Sequence, residues 1–298
     1  MVVAPAPPAP EPAPDPAAPV APAGPTVRRL RFEWPADLDP DWTPQRPELA
    51  CVANAVSLLM PHAEPYVAGA VRDALPDLPD DLRAEAEAWI GQETAHHGAH
   101  QRLNRVLVAR RPALARIERW IGRSFVALAR RRGRRFALGY AAGFEALAFV
   151  AARWVDRRAH DLLRGADVVP ATLFLWHLAE EVEHKEVAFD VHRAAGGTRR
   201  SLALGTGVAV VAMAWFTVLG TLVGLARSGR LWRPVAHWRL LCWSFGFLFE
   251  LLPTLAATLL AGHHPSRMAD PVWLPVWLRS YDPATRTMPA WSMDIVRP

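Results

Sequence analysis

The sequence predicts an all-α protein, a four-helix bundle followed by two further apolar helices. Three observations carry this. No stretch of useful length alternates apolar and polar residues with period two, while helical spacing recurs from about residue 50 onward. Pro76, Pro79, Pro112 and Pro170 punctuate the periodic stretches, and Gly196-Gly197 closes the last of them. Two stretches also carry a Glu followed three residues later by a His, which on a helix places both side chains on one face.

Taken in order, residues 1–26 are almost entirely Pro, Ala and Val, a composition that suits a disordered, extended tail. Residues 27–50 suit a short extended lead-in. Helices are predicted over roughly 50–74, 80–109, 113–131, 135–160 and 170–194. The division expected is a metal-binding helical domain over 27–198, an apolar hairpin over 199–265 and an irregular tail over 266–298.

The hairpin rests on two runs. Ser201–Ala226 carries no charge, and Leu240–Gly262 carries only Glu250, so both are long enough to cross a bilayer. Glu250 and Pro253 weaken the second run, because a carboxylate at mid-membrane costs at least ~2.5–3.5 kcal/mol. Arginines lie on both sides of each run, against the asymmetry of a spanning hairpin. An interfacial or re-entrant hairpin fits better, and two helices capping the bundle is the alternative.

The net charge of +5 conceals a segregated distribution. Arg105–Arg135 holds 11 Arg against one acid, Glu118. Such a segment suits an anionic membrane surface or a phosphate-bearing partner, or else a solvated helix face. Nothing points to nucleic acid, and a homodimer is left open. Cys51 and Cys242 are the only cysteines, which excludes a zinc-finger set and a disulfide framework. The N-terminus lacks the pattern of a signal peptide, so the expectation is a cytoplasmic chain at the inner face of the membrane.

The chemistry resides in Gly91–His100 and His177–His184. The order along the chain is Glu64, then Glu93 with His96, then Glu145, then Glu181 with His184. Two Glu-x-x-His helices plus one Glu from each of two others make the inward-facing site of dinuclear carboxylate bundles. Glu145 is the most telling member. It sits in the apolar stretch Phe136–Phe149, where a carboxylate is costly without a partner. Two divalent ions would bring four carboxylates to formal neutrality. His100 and His177 fall on the same helix faces, either as further ligands or as partners that orient the ligands, and Glu180 fits the orienting role. His97 and Glu183 point away.

Ile90-Gly91-Gln92-Glu93 with His96 and His100, and Trp176-His177 through Glu180-Glu181-Val182-Glu183-His184-Lys185 with Val187-Ala188-Phe189-Asp190, resemble the bacterial family of predicted metal-dependent hydrolases. The Arg-rich lead-in, Ser57-x-x-Met60-Pro61 and Val71-Arg72 resemble it too, and the likeness runs over roughly 27–265. It implies a ferritin-like helical fold with a dinuclear metal site. The chain has Ala63 where the family usually has Gly before the Glu, and the segment from Tyr281 onward follows the pattern less clearly.

The ligand types suit Fe, with Mn or Zn as alternatives. Four Glu and two His place oxidation of an apolar or lipid-like substrate by dioxygen first. Hydrolysis by metal-activated water is the alternative, and a non-catalytic metal-binding membrane protein is the third reading. No Gly-x-Ser-x-Gly motif competes.

Overall fold

The computed structural model describes residues 25–260 and 262–289. Among them the chain is all-α, with a single isolated bridge between Asp282 and Thr287. The Pro/Ala-rich segment up to position 24 and the tail beyond 289 lie outside the described residues.

The long helices are α1 (Pro47–Arg72), α2 (Asp80–Arg110), α3 (Leu114–Arg131) and α4 (Arg134–Asp156). A short α5 (Ala159–Leu162) leads to α6 (Val168–Glu183) and α7 (Val187–Ala194). The C-terminal part holds α8 (Arg199–Arg227), α9 (Pro234–Leu259) and α10 (Leu274–Leu278). One helix expected over 170–194 is therefore two. His184 leaves helical geometry at φ −119° and ψ 18°, and the chain resumes at Val187. Likewise the helix expected over 135–160 ends at Asp156. The Asp156 carboxylate then accepts the backbone N–H groups of Val272, Trp273 and Leu274, which fastens α10 to the bundle.

Helices α1, α2, α4 and α6 converge on one core, and each presents an apolar face interrupted by buried polar residues. Helix α8 packs closely along α1 and α4. Small residues set that approach. A Cβ at Gly205 would lie 2.3 Å from the Gly139 carbonyl carbon and the Tyr140 nitrogen, so two backbones meet where any side chain would intrude. The end of α8 is seated in the same way, with Gly220 against Ala55 and Gly224 against Cys51.

Helices α4, α8 and α9 are each long and apolar enough to cross a membrane by length and composition. Their surroundings differ. Helix α4 is enclosed by the bundle, while the window of α9 is only 11% buried. Trp215, Trp232, Trp238, Phe245 and Phe249 are all exposed. Glu250 faces inward, with one carboxylate oxygen 3.2 Å from Arg158 and 3.4 Å from Arg157. The charge that weakens the second apolar run is thus turned away from the outer face and neutralised by the bundle.

Gly205→Val forces a backbone shift, so it is expected to lower stability by at least ~1–3 kcal/mol. Gly207→Ala, where a Cβ meets nothing within 4 Å, is the control. Denaturant midpoints of the two variants decide the matter: equal midpoints would show that α8 is not clamped at this crossing.

Candidate metal centre

The core of the bundle is charged where the four helices meet. Helix α1 supplies Glu64, α2 supplies Glu93 and His96, α4 supplies Glu145, and α6 supplies Glu181, with His184 at its C-terminal end. All six are fully buried. His100, His177 and Glu180 border them, with His177, at 7%, the one residue of the nine in contact with solvent.

One ligand atom from each of Glu93, His96, Glu181 and His184 lies within 4.8 Å of the others. Atoms of Glu64, His100 and His177 form a second such group. His96 Nδ1 is 3.7 Å from Glu93 Oε1 and 3.8 Å from Glu181 Oε1. His184 Nε2 is 3.8 Å from Glu93 Oε1, and its Nδ1 is 3.0 Å from Glu145 Oε2 without hydrogen-bond alignment. Metal–ligand bonds of about 2.0–2.2 Å put two ligands of one ion roughly 3–4 Å apart, and these separations fall in that range.

Burying such a set is costly unless something pairs with it. Yet both carboxylate oxygens of Glu64, Glu93 and Glu145, Oε2 of Glu181, Nδ1 of His96 and both ring nitrogens of His184 have no hydrogen-bond partner among the described residues. These buried polar atoms lie where the four helices meet, without protein partners. The donor set fits divalent metal ions, and carboxylate with imidazole suits Fe, Mn or Zn.

Burial, reinforced by neighbouring carboxylates, pushes Glu64, Glu145 and Glu181 well above the ordinary carboxylate range. Burial lowers His177 well below its usual value and His100 to about 3, with neighbouring imidazoles adding to the effect. For His96 burial acts downward, but the carboxylates of Glu180 and Glu93 outweigh it and raise the ring well above its usual value. Without metal, burial favours the protonated forms of Glu64, Glu145 and Glu181.

Around the cluster lies a second layer of bonds. His96 Nε2 is 2.9 Å from Glu180 Oε2, which leaves Nδ1 directed at the cluster. Arg28 donates to Glu180 Oε1 at 3.1 Å and to both oxygens of Glu183, at 2.7 and 2.9 Å. Gln92 also donates to Glu183, at 3.1 Å. Arg28, Glu180 and His96 thus make a carboxylate–histidine relay that fixes a ring over the site. Glu183 belongs to this outer brace, while His97 is only half-buried and lies outside the cluster. Trp176 packs edge-on against His96 at 4.8 Å and Trp89 against His184 at 6.1 Å, which keeps the walls apolar.

The spacing of Glu and His did not reveal Arg28, Ser57, Gln92 or Asn104. Asn104 lies four residues past His100, and Ser57 seven before Glu64, so helical position was a usable signal for both. Arg28 comes from an extended segment and has no local signal.

Fold and site together define an all-α bundle protein with a buried Glu/His centre of the metal-binding kind. The chain belongs to the family described as predicted metal-dependent hydrolase, whose family model matches residues 26–269. Comparison with curated proteins and with solved structures gives no match.

The raised carboxylates set a pH dependence. Between the unfolded carboxylate value of about 4.3 and the raised folded values, the folded chain binds more protons than the unfolded one. Metal-free stability therefore falls as pH rises through that window, and a metal ion must displace those protons. Thermal stabilisation by added zinc is expected to grow from about pH 5 to about pH 8. Calorimetry in buffers of different ionisation enthalpy should show protons released on binding. Proton-neutral uptake would mean that the carboxylates are already ionised.

Proposed function

We propose that the chain is a metal-dependent hydrolase acting on an apolar or lipid-like substrate. The family match supports the reaction class, and the unpaired buried ligand atoms support the metal dependence. This reverses the order drawn from ligand types, which put oxidation by dioxygen first. Glu64, Glu93, His96, Glu145, Glu181 and His184 would hold two divalent ions. Such ions lower the pKa of a bound water and stabilise charge on a leaving oxygen. The chain's own contribution is to orient and enclose: Arg28 and Glu180 fix His96, and Trp89 and Trp176 keep bulk water from the walls.

The test is metal content of protein purified without added metal, beside a Glu145→Ala/Glu181→Ala double variant. About two ions per chain are expected, lost in the variant. The zinc-loaded protein should then cleave long-chain acyl esters under argon. Turnover only with iron and dioxygen would establish the oxidase reading, which the hard carboxylate and imidazole donors also suit.

The second element is a bilayer surface as partner. Exposed Trp120 of α3 lies beside exposed Trp215 of α8, their rings 6.1 Å apart, and Val126 of α3 is exposed as well. Arg116, Arg119, Arg123, Arg130, Arg131 and Arg132 are exposed on the same segment. Aromatic side chains beside arginine suit an anionic lipid interface. Replacing Arg130, Arg131 and Arg132 with Ala is expected to weaken binding to phosphatidylserine vesicles by ~1 kcal/mol per charge, roughly a hundredfold in all. Unchanged binding would remove the role of this face.

A further inference from the structure

A proline in α1 dictates where a histidine lone pair points in the metal cluster. Pro61 has no N–H, so the carbonyl of Ser57, four residues earlier, loses its helical partner. Asn104 of α2 fills the gap, with Nδ2 donating to the Ser57 carbonyl oxygen at 2.9 Å. That bond fixes which way the amide is turned, and its Oδ1 accepts the Ser57 hydroxyl at 2.7 Å. The single hydroxyl proton is now used. Ser57 Oγ can only accept from the ring nitrogen on its other side, His100 Nδ1 at 2.9 Å.

The consequence passes along the chain of bonds. His100 lies among Ser57, Phe174 and His177, with no carboxylate bonded to either ring nitrogen, so a second proton would be a buried cation without a counter-ion. Its Nε2 therefore accepts, and the proton at that contact belongs to His177 Nδ1, 2.7 Å away. His177 Nε2 is then a bare lone pair. It faces Glu181 Oε1 at 2.8 Å and Glu64 Oε1 at 3.7 Å. With Glu64 and Glu181 ionised, as metal binding requires, three acceptors converge on one place, an arrangement that a shared cation resolves.

Resting on the metal-dependent reading above, we infer that His177 is a further ligand of the centre through Nε2, and that His100 is not a ligand but its orienting partner. The second pole of the centre is then Glu64 with His177, joined to the first through Glu181. His100 cannot serve, since both its ring nitrogens are engaged within the protein. Ser57 and Asn104 act as positioning residues through it.

The test uses the zinc-loaded full chain. Long-range proton–nitrogen correlation spectra of histidine-labelled protein should show His100 and His177 protonated at Nδ1 and His177 Nε2 with the shift of a metal-bound nitrogen. His177→Gln should retain one tightly bound ion of the two, with helix content unchanged by circular dichroism. Ser57→Ala should weaken zinc affinity ~10–100-fold and disturb the His100 tautomer, which a purely structural role would leave in place. A proton on His177 Nε2 in the zinc-loaded wild type overturns the inference without any variant having to fold. Equal zinc content and affinity in wild type and His177→Gln overturns it alone and leaves the metal centre standing. A wild-type chain that takes up no zinc, iron or manganese overturns both.

Discussion

Four carboxylates buried within a few ångströms of one another are the constraint on which the rest of this structure depends. Without cations or protons between them they would repel in a medium that screens poorly. Every helix of the central bundle delivers part of that charge, so the packing of α1, α2, α4 and α6 is tied to whatever neutralises the cluster. The apolar walls raise the stakes. Trp89 and Trp176 exclude water that could otherwise solvate unpaired oxygens. The same low dielectric that makes an unneutralised cluster costly is what would make bound ions effective at polarising a water or a carbonyl.

The protein fixes two of the imidazoles from behind. Arg28 and Glu180 hold His96, while Pro61, Asn104, Ser57 and His100 hold His177. The two devices differ in kind. One uses charge, a guanidinium setting a carboxylate. The other uses only neutral donors and starts from a missing backbone hydrogen bond. In a helix interior a proline is a defect worth about 3 kcal/mol. Here the carbonyl it frees is partnered by Asn104, so the break in the ladder becomes the fixed end of a side-chain relay.

The fold class was legible, and so was the choice of six residues that prove to be buried in the bundle core, because both rest on local periodicity. Glu93 with His96, and Glu181 with His184, are three apart, and Glu145 stood out against an apolar helix. What escaped depends on tertiary contact. The sequence around 180–189 reads as continuous helix, yet the chain breaks after Glu183 and His184 turns toward Glu145. Arg28 reaches Glu180 across more than 150 residues of chain, and no pattern within the lead-in announces it. The contrast between α8 and α9 was hidden for the same reason. Both read as apolar runs of similar length, but only the small residues of α8 let it sink against α1 and α4.

That contrast bears on how a substrate meets the centre. The ligand cluster is closed to solvent except beside His177. The outer face of α9 and the exposed part of α8 are apolar, while Glu250, the one acid of α9, is spent on Arg157 and Arg158 within the bundle. Had Glu250 faced outward, the surface would suit water and its burial in lipid would cost several kcal/mol. Turned inward, it leaves the outer face of α9 apolar, with Trp238, Phe245 and Phe249 exposed. On the hydrolase reading proposed above, Trp89 and Trp176 would shield the reaction from bulk water, and an apolar outer face of this kind would suit an apolar substrate.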